Sequence, residues 1–104
     1  MLYQQGDVLL TTVKRLPGKG KKVKSYNGRL ILADGEATGH AHAVAVAEGV
    51  EMREISGNLY LCCDKAATIT HEEHGAITVP PGKYRVDRVQ EYDHFAEEAR
   101  DVQD

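Results

Sequence analysis

The sequence predicts an all-β fold, a small antiparallel β-barrel or sandwich with a short C-terminal helix. Two observations predict the strands. The apolar runs are short and rich in β-branched residues, and ten glycines and three prolines punctuate them at close intervals. A third observation is local: Asn27-Gly28 is a dipeptide favoured in two-residue hairpin turns, where both central residues need positive φ. With 104 residues, the chain is read as one domain, residues 1–104, with a thin core for its surface.

Taken in order, Asp7 to Val13 reads as a first strand, and Leu16-Pro17-Gly18-Lys19-Gly20 as the loop that ends it. Val23 to Tyr26 and Arg29 to Ala33 flank Asn27-Gly28 as the arms of a hairpin. Residues Gly35 to Gly39 form a second loop, expected to aim His40 and to bring Glu36 or Thr38 near it, and the next strand runs from His40 to Ala47. Glu51 to Ile55 and Leu59 to Cys62 bracket Ser56-Gly57-Asn58 as another hairpin. Thr68 to Thr70, Ala76 to Val79 and Lys83 to Gln90 complete eight or nine strands, with Pro80-Pro81-Gly82 turning the chain before the last. From Tyr92 the period changes. Asp93 suits an N-cap, and Tyr92, Phe95, Ala96, Ala99 and Val102 recur at spacings of three and four, which predicts a helix over about residues 93–103.

Composition excludes several classes. No run of 18 apolar residues is available to span a membrane, and the opening residues lack the basic and apolar regions of a secretory signal, so a cytoplasmic protein is expected. The only cysteines, Cys62 and Cys63, are adjacent, a spacing poorly suited to a relaxed disulfide, which agrees with a reducing compartment. In a strand they face opposite ways, one of them into the core.

Charge is unevenly spread. Six of the 13 Lys and Arg fall between Lys14 and Lys24, where there is no acidic residue, so the other seven stand against all 16 acidic ones. A basic loop of this kind suits a polyanion or protein partner, but no aromatic residue is interleaved with it, and nucleic acid is not the expected ligand. A solvated loop touching an acidic tail is the simpler reading: Asp87 to Asp104 holds seven acidic and two basic residues.

Histidine carries the functional signal. Four of the five histidines fall in two groups, His40 with His42 and His71 with His74; the fifth, His94, lies in the acidic tail and reads as a surface residue. Alternation along a strand puts His40, His42, Val44 and Val46 on one face and Ala41, Ala43, Ala45 and Ala47 on the other. Two imidazoles leaning together from that spacing can share a metal ion. In His71-Glu72-Glu73-His74-Gly75, a regular strand separates the two histidines, whereas a turn at Glu73 to Gly75 resets the parity. The expected ligands are therefore His40 and His42 with His71 or His74, and the remaining histidine, Glu72 and Glu73 are the candidates for a fourth ligand, a support to the ligands or a general base. Zinc is the expected divalent metal, because imidazole suits it and three protein ligands leave a position for an activated water. That site suits hydrolysis or hydration of a small molecule, including carbonic-anhydrase-like chemistry. The thin core and the alanine face also predict a homo-oligomer. The alternative is a non-enzymatic binding or assembly module that works through its basic loop, with the histidines structural.

The His-x-His pair, the later histidine after a hairpin and the closing Pro-Gly are similar to the metal motifs of cupins. In those motifs a glutamate follows the pair, and Glu48 here falls one or two residues later than that position. Gly35 to Ala43, His71 to Gly75 and Gln90-Glu91-Tyr92 also resemble a group of small uncharacterised bacterial and phage proteins, which implies no particular activity.

Overall fold

A computed structural model describes residues 1–34 and 40–89 of the chain. Among them there is no helix, and ten strands form two antiparallel sheets. The expected C-terminal helix at 93–103, His94 and the loop at 35–39 lie outside the described residues. Among the described residues no helix is long and apolar enough to cross a membrane.

The chain begins with a hairpin. Strand β1 (Leu2–Gln5) pairs with β2 (Val8–Val13), and Gln5 stands opposite Val8, so only Gly6 and Asp7 make the turn. Gly6 takes φ +57° at the first turn position, the pattern of a type II′ hairpin, whose twist matches that of the strands it joins. The basic stretch then crosses to the far edge of the same sheet, where β3 (Lys21–Lys22) pairs with β6 (Val50–Ile55) and sets Lys21 opposite Glu54. Part of the stretch is therefore fixed to a sheet edge, with the side chains of Lys21 and Lys22 exposed. Arg53 donates to the Lys19 carbonyl at 3.1 Å, and the Val23 amide donates to the Met52 carbonyl at 2.8 Å. Lysines on such an edge discourage pairing with another chain.

This pairing also corrects the predicted first arm of the Asn27-Gly28 hairpin. The turn forms as read, with positive φ at both residues, but from its first arm Tyr26 alone bridges Arg29, because Val23 is drawn onto β6. The second arm is β4 (Arg29–Asp34), which pairs with β5 (Ala41–Ala45). A β-bulge between Ile31 and Ala33 sets Ala33 opposite His42. Ser56 and Gly57 turn β6 into β7 (Asn58–Cys63), so Asn58 belongs to the strand. The order continues with β8 (Ala67–Thr70), β9 (Ile77–Val79) and β10 (Gly82–Arg88).

The larger sheet has the order β1-β2-β10-β7-β6-β3 and the smaller β4-β5-β8-β9. Their apolar residues meet in one core, to which the larger sheet gives Val8, Leu10, Met52, Leu61, Tyr84 and Val86, and the smaller Leu30, Leu32, Val44, Ile69 and Val79. That is the two-layer arrangement of a sandwich. Tyr84 is fully buried, its hydroxyl donates to the Pro80 carbonyl, and its ring meets Tyr3 edge-on at 5.9 Å. Cys63 lies in the core and Cys62 is half-buried, as alternation requires. Strand β5 departs from simple alternation: Ala41, His42, Ala43 and Val44 are all buried, whereas Ala45 and Val46 are exposed as the strand leaves its neighbours.

Candidate metal centre

Three connections meet at one end of the sandwich. The β1–β2 turn brings Gln5 and Asp7, the start of β5 brings His40 and His42, and the β8–β9 connection brings His71, Glu72, Glu73 and His74. Strand β8 ends at Thr70, opposite Ala43, and the chain then turns. His71 helps to make the turn: its Nδ1 accepts from the Glu73 amide at 3.0 Å and from the His74 amide at 3.4 Å. Beyond the end of β8, the Ala41 amide donates to Glu72 Oε1 at 2.9 Å, so a carboxylate takes the place of a ladder partner.

All four grouped histidines converge there. The His42 ring centroid lies 4.3 Å from that of His71 and 5.8 Å from that of His74, while His71 lies 4.7 Å from His74 and 5.7 Å from His40. Both His71 and His74 therefore reach the cluster, and the reset at the turn brings in the pair where the sequence left a choice between them. Ligand atoms of His40, His71 and Glu72 lie within 4.8 Å of one another, a group able to hold a metal ion. His42 is set deeper, 1% exposed, and its ring is braced against those of His71 and His74.

The two glutamates differ. Glu72 is fixed by the Ala41 amide, which holds its carboxyl below the usual range, and its second oxygen lies 3.9 Å from Arg29 Nη1. A carboxylate so stabilised is a better ligand than proton acceptor. Glu73 is largely exposed and its Oε2 lies 3.6 Å from His40 Nδ1. Glu48 is remote from the cluster, since it follows β5 whereas His40 precedes it.

Sequence reasoning missed Gln5, Asp7 and Arg88. Gln5 Oε1 lies 2.9 Å from His42 Nδ1, and Asp7 Oδ1 lies 3.5 Å from His42 Nε2. Arg88 donates to Asp7 Oδ2 from Nε at 3.1 Å and from Nη2 at 2.8 Å, and this guanidinium holds the Asp7 carboxyl below the usual range. Burial, then the neighbouring His71, pushes the His42 imidazole down, against an upward pull from Asp7. A signal for these residues exists: Gly6-Asp7 between Leu2-Tyr3 and Val8-Leu9-Leu10 is a two-residue hairpin pattern.

Fold and site together define a two-sheet β protein with a histidine and carboxylate cluster at one end, able to hold a metal ion. The chain belongs to the family described as a domain of unknown function, DUF8820, whose pattern matches residues 4–89. The matched span includes the grouped histidines and both glutamates. No curated protein and no solved structure matches the chain.

Proposed function

We propose that this protein binds a divalent metal, zinc first, through His40, His71 and Glu72, and uses it to activate water for hydrolysis or hydration of a small molecule. The observation that carries the reading is the convergence of four imidazoles and a fixed carboxylate from separate chain segments, three of them with ligand atoms within 4.8 Å. Neutral imidazoles bring lone pairs that they cannot all satisfy among themselves, and a divalent cation is the partner they share. Three protein ligands leave a fourth position for water, whose pKa the metal lowers. Glu73, exposed beside His40 and not engaged by a backbone amide, is the proton acceptor for that water. His71 would hold the metal through Nε2 only with its ring proton on Nδ1, and the two backbone amides that now donate to Nδ1 would then need other partners.

Elemental analysis of protein purified without an affinity tag tests the reading. We expect bound zinc in the wild type, with affinity at least about tenfold weaker in His40→Ala and Glu72→Gln. Zinc-loaded protein should hydrolyse an activated ester, and Glu73→Gln should lower kcat with metal content unchanged. Metal no higher than in a histidine-free control protein, or occupancy untouched in both ligand variants, overturns it.

A further inference from the structure

We infer that Asp7 Oδ1 and His42 Nε2 form a second, inner cation site beside the outer His40, His71 and Glu72 group, with His74 the adjacent imidazole and a divalent transition metal the ligand. The inference rests on reading the cluster as a metal centre, but it uses different atoms.

The orientation of Gln5 decides the tautomer of His42. The Gln5 amide nitrogen donates one hydrogen to the Ile69 carbonyl at 2.9 Å and the other to the Gly75 carbonyl at 3.0 Å, which uses both. A flipped amide would lose both bonds and set its oxygen against two carbonyl oxygens. Gln5 Oε1 is thus the atom that faces His42 Nδ1 at 2.9 Å, and since a carbonyl oxygen only accepts, Nδ1 carries the proton. In the neutral ring Nε2 then keeps its lone pair, on a side chain only 1% exposed, aimed at a carboxylate oxygen.

Arg88 lies beside the carboxylate but binds Oδ2, so the gap between Oδ1 and an unprotonated Nε2 is left for a cation. Their separation, 3.5 Å, exceeds the 2.7–3.2 Å of an N–H···O bond. It is close to the edge of a tetrahedron with metal bonds of about 2.0–2.1 Å, which is about 3.3–3.4 Å. A proton on Nε2 is the competing occupant, and it would make an imidazolium–carboxylate pair of the same two atoms. The surrounding residues complete the arrangement of a metal site. Gln5 accepts the ligand's other ring N–H, and Arg88 occupies only Oδ2 of Asp7, which orients the carboxylate and leaves Oδ1 directed at His42. His74 lies nearly parallel to His42, at an interplanar angle of 15°.

Native mass spectrometry of the full chain titrated with zinc tests this. Two equivalents are expected in the wild type, one in Asp7→Asn and one in the His40→Ala/Glu72→Gln double variant. A single wild-type equivalent that survives Asp7→Asn overturns the inner site, and so does loss of both equivalents together in a folded Asp7→Asn protein. If the double variant binds as much zinc as the wild type, the outer group fails while the inner site stands. No zinc in any form overturns both. Nitrogen-15 NMR of the wild-type histidines gives a readout that needs no variant: His42 should carry its proton on Nδ1 throughout, with Nε2 unprotonated before zinc and shifted by it. A proton found on Nε2 and unaffected by zinc identifies an imidazolium–carboxylate pair and overturns the inference.

Discussion

Replacing Gly6 with alanine separates backbone strain from disturbance of the histidine cluster. Gly6 has φ +57°, and a Cβ built on it would lie 2.6 Å from His74 Nε2 and 2.9 Å from His74 Cδ2. Carbon packs against such atoms at about 3.5 Å or more, so the ring has to retreat by about 1 Å. The left-handed backbone alone costs a non-glycine residue roughly 1–2 kcal/mol. For a domain of this size that corresponds to a Tm lower by about 4–16 °C. Gly28 provides the control, since it has φ +75° and nothing within 4 Å of a built Cβ. Gly28→Ala should therefore lose similar stability and leave the cluster alone. His74 is exposed and free to yield, so in Gly6→Ala the displacement should register as weaker zinc binding, by about tenfold, more than as additional instability. Thermal denaturation by circular dichroism and zinc calorimetry on the two variants decide the matter. An unchanged Tm in Gly6→Ala refutes the turn conformation, and zinc affinity equal to that of Gly28→Ala refutes the contact with His74.

Two further predictions concern the core. Tyr84→Phe removes the hydroxyl that donates to the Pro80 carbonyl and should cost about 1 kcal/mol in urea denaturation; wild-type stability would show that this bond adds nothing to the Pro80-Pro81-Gly82 turn. Burial pushes the thiols of both Cys62 and Cys63 up, so at neutral pH the thiolate fraction is smaller than in the unfolded chain. Iodoacetamide should leave Cys63 of the native protein unmodified while both cysteines react in guanidinium, and alkylation of native Cys63 at the unfolded rate contradicts its place in the core.

The all-β class was legible because strand signals are local: β-branched alternation and turn dipeptides such as Asn27-Gly28 report on a few residues at a time. What escaped depends on partners distant in sequence. Val23 alternates well enough for a hairpin arm, yet its amide is taken by Met52, and no property of residues 23–26 announces that competitor. The histidines were visible as a pattern, and parity showed that His71 and His74 needed a turn between them to meet. That His71 itself supports the turn, by accepting two backbone amides, is a side-chain event outside the reach of periodicity. Glu72 and Glu73 are indistinguishable as letters. They differ only because the Ala41 amide, freed where β8 stops, binds one of them.

The hydrogen bonds of Gln5 reach across the chain, 64 residues to Ile69 and 70 to Gly75. Such closures are late events in folding, because the entropy of joining remote segments is lost before the contact repays it. A chain emerging during synthesis thus holds Gln5, Asp7 and His42 for much of its elongation without the carbonyls that orient the glutamine. The His42 tautomer is set only when β1 has met the β8–β9 connection, which makes that one imidazole proton a marker of the completed fold.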